Sequence, residues 1–139
     1  MSSWQAYKQT MVSPPSLWAA AKANDVAELA RLLNTGAFID ERDHRGYSAL
    51  MLATYTGNAE AFELLLSRRA DANSRDLAGN TVLMGAAFKG HVEMFRRLLA
   101  AGADAAAKNE GGMDARQFAV MFGRVEIVKE LDAALPAAA

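Results

Sequence analysis

The two side chains best suited to proton transfer or metal ligation near neutral pH are His44 and His91, which stand 47 residues apart. A catalytic histidine works beside a nucleophile or an orienting carboxylate held around a pocket, and neither histidine has such a motif near it. There is no cysteine, so thiol catalysis, thiolate zinc ligation and a disulfide frame are all excluded, and two distant histidines lack close metal-ligand spacing. Asp71 and Asp104 resemble a carboxylate pair but lie 33 residues apart in equivalent settings, where bonding to their own turns explains them. Glu110-Gly111-Gly112 lacks the lysine and following helix of a phosphate-cradling loop. Arg42, Arg45, Arg75 and Lys108 could meet phosphates, but 15 basic against 16 acidic residues give a net charge of −1, so no long-range attraction for nucleic acid or anionic membrane is implied. The expectation is a noncatalytic chain with no catalytic, metal or cofactor-binding residues.

The pattern that accounts for these residues is a repeat. Gly46, Gly79 and Gly112 recur every 33 residues, and Gly57, Gly90 and Gly123 recur eleven residues further on. Ala20 returns as Ala53, Ala86 and Ala119. Leu29 returns as Phe62, Phe95 and Val128, and Leu32 as Leu65, Leu98 and Leu131. One small unit is therefore copied four times, and each copy can bury its apolar side only against its neighbours. Asn24 stands in the first copy where the others have Gly57, Gly90 and Gly123, which fits a left-handed helix end.

Within the third copy, Thr81 can cap a helix over Val82 to Lys89 that Gly90 stops. Val92, Phe95, Leu98 and Leu99 then fall at three- and four-residue spacing along a second helix over Val92 to Ala101, which Gly102 ends. The short, polar, glycine-bearing segments between copies suit projecting hairpins.

Gly79, Thr81, Leu83, Ala86, Ala87, Gly90, His91, Val92, Leu98, Leu99, Gly102, Ala103 and Asp104 resemble the ankyrin repeat signature. The resemblance extends from about Pro15 to Leu135, with the outer copies degenerate, as capping copies that face water must be. The implied fold is an all-α repeat solenoid of stacked helix-turn-helix units joined by projecting β-hairpin loops. The expected division is an N-terminal extension over 1–15 and a repeat domain over 16–139, with copies at about 16–43, 44–76, 77–109 and 110–135. The family's Thr-Pro-Leu-His proline and histidine are replaced by Ala49 and Met51, Val82 and Met84, and Ala115 and Gln117, removing a preset helix start and a polar network. Arg69 occupies the position of Gly36 and Gly102, where a left-handed backbone would strain it.

The resemblance implies protein recognition through hairpin tips and the concave side of the first helices. Carried over residue by residue, it selects His44, Arg45, Tyr47 and Tyr55 in the second copy. It selects Leu77, Asn80, Phe88 and Lys89 in the third, and Met113, Met121 and Phe122 in the fourth. The sequence adds two features of its own. Tyr55, Phe88 and Met121 recur at 33-residue spacing near the ends of first helices, as an aromatic and thioether ridge. Arg42, Arg75 and Lys108 supply one positive charge per hairpin beside it. The implied ligand is an apolar protein segment with acidic flanks. The alternative is structural packing by the ridge and pairing of the basic residues with Asp43 or Asp76.

Trp4, Tyr7 and Met11 would share one helical face before Pro14 and Pro15, and that face is expected to dock on the first copy, with a disordered tail or a partner-binding arm as alternatives. No secretory signal or membrane-spanning stretch is evident, so a cytoplasmic monomer is expected. Two other readings stay open: an accessory or regulatory subunit of an enzyme, and a self-associating structural protein joined through Ala105 to Ala107, the Ala-rich C-terminus or the Trp4 face.

Overall fold

A computed structural model describes residues 16–134. The N-terminal extension, with its Trp4 face, and the tail after Ala134 lie outside the described residues. Within these bounds there are eight helices: α1 (Leu17–Ala23), α2 (Val26–Asn34), α3 (Ala49–Thr56), α4 (Ala59–Ser67), α5 (Val82–Lys89), α6 (Val92–Ala100), α7 (Ala115–Met121) and α8 (Val125–Ala134). They form four antiparallel pairs, all-α and stacked, as the repeat implies.

Side-chain oxygens begin the first helices. Ser16, Ser48, Thr81 and Asp114 accept the backbone N–H of Ala19, Met51, Met84 and Gln117, each three residues on. Such a cap contributes roughly 1 kcal/mol and here does the work of the missing proline. Asn24 ends α1 in the left-handed region at φ 54°, where Gly57 and Gly90 end α3 and α5.

First helices stack on first helices, α1 on α3 on α5 on α7, while α2 meets α4 and α6 meets α8. Ala20, Ala53, Ala86 and Ala119 are all buried, because only a methyl group fits where successive first helices approach. Leu29, Phe62 and Phe95 fill the space between the layers together with Leu65, Leu98 and Leu131. Each contributes roughly 1.5–3 kcal/mol by leaving water. Leu32 and Val128, in the same registers in the first and fourth copies, are only half-buried.

Polar bonds fix the register between copies. Asp71 N–H donates to Asp40 Oδ1 at 2.8 Å, and 33 residues on Asp104 N–H donates to Asn73 Oδ1 at 2.7 Å. The residue before each later second helix reaches back to the preceding copy. Asn58 Nδ2 donates to the carbonyls of Ala21 and Lys22, the His91 ring packs against Gly57, and Arg124 Nε donates to the carbonyl of Phe88. His91 makes no side-chain cap bond, so its role is between copies. A buried hydrogen bond of 3.0 Å between the Ser48 and Ser74 hydroxyls joins the second copy's helix start to the following loop. The loops follow hairpin paths, with Asp43 N–H donating to the Tyr47 carbonyl and Asp76 N–H to the Asn80 carbonyl. Among the described residues, the pairing beyond these turns is one isolated bridge, Arg75 with Thr81.

Two outcomes follow from this geometry. Arg69 sits at φ 63°, so Arg69→Gly is expected to raise stability by about 1 kcal/mol through relief of left-handed strain. An unchanged or lower midpoint in chemical denaturation contradicts that. Burial, then Lys89 and Arg124, hold the His91 imidazole below its ordinary value. Its folded-state value is thus below its unfolded one, so stability present at pH 8 is lost as pH falls from about 6.5 through the folded value. The wild type should lose more stability than His91→Gln between pH 8 and pH 5. Parallel losses would refute this.

Candidate partner-binding groove

The hairpin tips are rigid because their acidic residues serve the turns. Asp43 Oδ1 accepts the N–H groups of Arg45 and Tyr47 at 2.9 Å each. Asp76 Oδ1 accepts those of Ala78 and Asn80, and its Oδ2 accepts Asn80 Nδ2. Neither aspartate forms a salt bridge with a neighbouring base, so the alternative pairing of hairpin charges gives way to turn bonding. Arg75 donates through Nη1 to the Lys108 carbonyl at 2.9 Å, one copy further on. Asn109 Nδ2 donates to Asn80 Oδ1, and Glu110 N–H to the Ala78 carbonyl. Asn80 is therefore a bracket between tips. Asp71 and Asp104 likewise accept N–H groups of their own turns.

Between the tips and the first helices lies a groove of about 350 Å³ lined by Tyr47, Tyr55, Asp76, Asn80, Met84, Gly85, Phe88, Lys89 and Phe118. Two edge-to-face aromatic pairs flank it: Tyr47 with Tyr55 at 5.7 Å between centroids, and Phe88 with Phe122 at 4.7 Å. A cation lies over one ring of each pair. Arg45 Cζ is 5.0 Å from the Tyr47 centroid and Lys89 Nζ 5.6 Å from that of Phe88. The groove is thus apolar at its centre with positive charge at two edges. Its one carboxylate, Asp76, is occupied by hydrogen bonds.

The ridge of Tyr55, Phe88 and Met121 is not uniform. Tyr55 is half-buried, whereas Phe88 is 39% and Met121 61% exposed. The reason is Gly85, which stands where the neighbouring copies have Leu52 and Phe118. A β-carbon at Gly85 would lie 1.9 Å from Tyr55 Cε1, so the ring fills the space a side chain would take. Burial, then Asp76 and Tyr47, push the Tyr55 phenol well above its usual value, which keeps it a neutral hydrogen-bond donor. Of the other residues singled out from sequence, Arg42, His44 and Lys108 are exposed on the hairpins, as is Leu77 over Gly46, and Met113 is half-buried. Phe122, following α7, is exposed beside Phe88. Sequence reasoning missed Met84, Gly85 and Phe118. The alternation of Leu52, Gly85 and Phe118 in one register was the available signal.

Residues 17–66 and 83–131 match the family described as Ankyrin repeats (many copies). The chain belongs to the ankyrin repeat family. Ankyrin repeats are in general protein-interaction modules, and the family is typically noncatalytic. A stretch of 56 residues, 40% of the chain, is 41% identical to a mitochondrial disaggregase of Bos taurus and 38% identical to one of Homo sapiens. It spans only 8% of the length of either relative. Among the described residues, no ankyrin helix is long and apolar enough to cross a membrane, and no cluster of three or more His, Asp or Glu is arranged to hold a metal ion.

Gly85→Ala tests the packing of the ankyrin groove. Gaining about 1 kcal/mol of helix propensity is offset by roughly 1–3 kcal/mol of overpacking against Tyr55. A net loss of stability is expected, with the displaced Tyr55 phenol titrating closer to its ordinary value by absorbance. A stabilised variant with an unaltered tyrosine titration would show that the ring does not depend on this glycine.

Proposed function

We propose that this chain is a noncatalytic protein-recognition module that binds a partner along its hairpin tips and the groove of its first helices. The observation that carries the reading is the apolar groove walled by Tyr47–Tyr55 and Phe88–Phe122, with Arg45 over Tyr47 and Lys89 over Phe88. Aromatic side chains bury large area at low entropic cost, and exposed cations select the sign of the partner's charge. The proposed ligand is an apolar segment flanked by carboxylates, reached by Arg45, Lys89, Arg42 and Lys108, with Leu77, Met113 and Met121 extending the apolar area. In this reading the repeat domain runs over 16–139 with 1–15 as an extension, and the module acts as a monomer in the cytoplasm.

The similarity to mitochondrial disaggregases favours one further reading, in which the repeats serve as an accessory or regulatory subunit beside an enzyme. The two differ in the identity of what is bound. Affinity capture from the source lysate, comparing the wild type with a folded Arg45→Glu/Phe88→Ser variant, is expected to retain a protein on the wild type alone. Identical proteins on both would remove the groove as the binding surface. A captured enzyme whose activity changes on addition of the chain would decide for the accessory role.

A further inference from the structure

We infer that the ridge turns the corner at the C-terminal end of the stack, where Val120, Met121, Phe122 and Val125 form a second anchoring surface for an acidic amphipathic segment of the partner. The inference rests on the partner-binding reading above and moves part of the site off the concave face.

Register comparison isolates the corner. The equivalents of Val120 are Thr54 and Ala87, both fully buried by the copy that follows them. No copy follows α7 among the described residues, and Val120 is 64% exposed. The rest of this end face has become polar, as a capping copy requires: Arg116 and Gln117 stand where α5 has Leu83 and Met84, and Asp132 stands where α6 has Leu99. Arg116 and Asp132 pair with each other across α7 and α8. Among the described residues, the large apolar side chains exposed at this end gather at the end of α7 and the start of α8, where Val125 is 60% exposed. A bare cap would be polar there too. The patch is continuous with the groove, because Phe122 contacts Phe88 edge-on.

The charges around the corner select the occupant. Lys89 and Arg124 are both exposed there and both act on His91, while Glu126 pairs with Lys129 at 3.3 Å. Among the described residues neither Lys89 nor Arg124 pairs with a carboxylate, so the corner is apolar and bordered by positive charge, which suits a segment carrying aliphatic or aromatic residues and carboxylates.

A random peptide display library, selected on the full chain, provides the probe. Enriched sequences should combine Leu, Ile or Phe with Asp or Glu, and synthetic copies should bind at least tenfold more weakly to Val120→Ser/Val125→Ser and to Lys89→Glu. Both variants alter exposed side chains, and circular dichroism confirms their folding. Peptides insensitive to Val120→Ser/Val125→Ser but lost on Arg45→Glu would overturn the corner and leave the groove reading intact. Peptides lost on neither, peptides rich in Lys and Arg, or the absence of any selected peptide would overturn the corner, and the first and last would also remove the groove. A dimer in sedimentation that Val120→Ser/Val125→Ser abolishes would assign the corner to a second copy and likewise overturn the proposal.

Discussion

A first helix in this stack is seven or eight residues long, too short to hold itself in water, and acquires its stability by being covered on two sides. Every residue of α3 from Ala49 to Thr54 is buried, as is every residue of α5 from Val82 to Ala87. That double burial is possible only because an alanine recurs at each approach and a cap occurs at each start. The rest of the molecule depends on it. The hairpins project because both helices of each copy are already engaged, and the outer copies become polar or irregular where the second cover ends.

The groove arises from a local failure of the same rule. In the register of Leu52 and Phe118 the third copy has no side chain, and Tyr55 from the second copy moves into the gap. Its ring then stands against Tyr47 and forms one wall, while Phe88, unable to use that space, pairs with Phe122 and forms the other. One missing side chain thereby converts a periodic ridge into a concavity with two walls. Because Asp43 and Asp76 are consumed by their turns, the positive charges nearby keep their field outward.

Departures from the family signature are compensated rather than simply suffered. Ser48 and Thr81 begin their helices by side-chain bonds, and the links between copies pass to Asn58, His91 and Arg124, three different residue types in one register. A hydrogen-bonding amide, a packed imidazole and a guanidinium on a carbonyl serve the same place. That tolerance follows from the target, which is the end of a preceding helix where free carbonyls and a glycine surface accept several chemistries.

Sequence alone determined the period, the four copies, the alternation of short helices and the residues of the core, because a 33-residue recurrence of Gly, Ala and Leu leaves one stacked arrangement that buries them all. It also determined the left-handed backbone at Asn24 and Arg69, since position within the repeat dictates φ there. Tertiary structure decided which exposed side chains come together. Tyr55 and Gly85 are 30 residues apart, and their contact depends on how far one helix sits from the next, which no periodicity specifies. The same holds for Asn80 with Asn109, which join successive hairpins, and for Phe88 with Phe122, which come from neighbouring copies, since each meeting is set by the spacing of the stack.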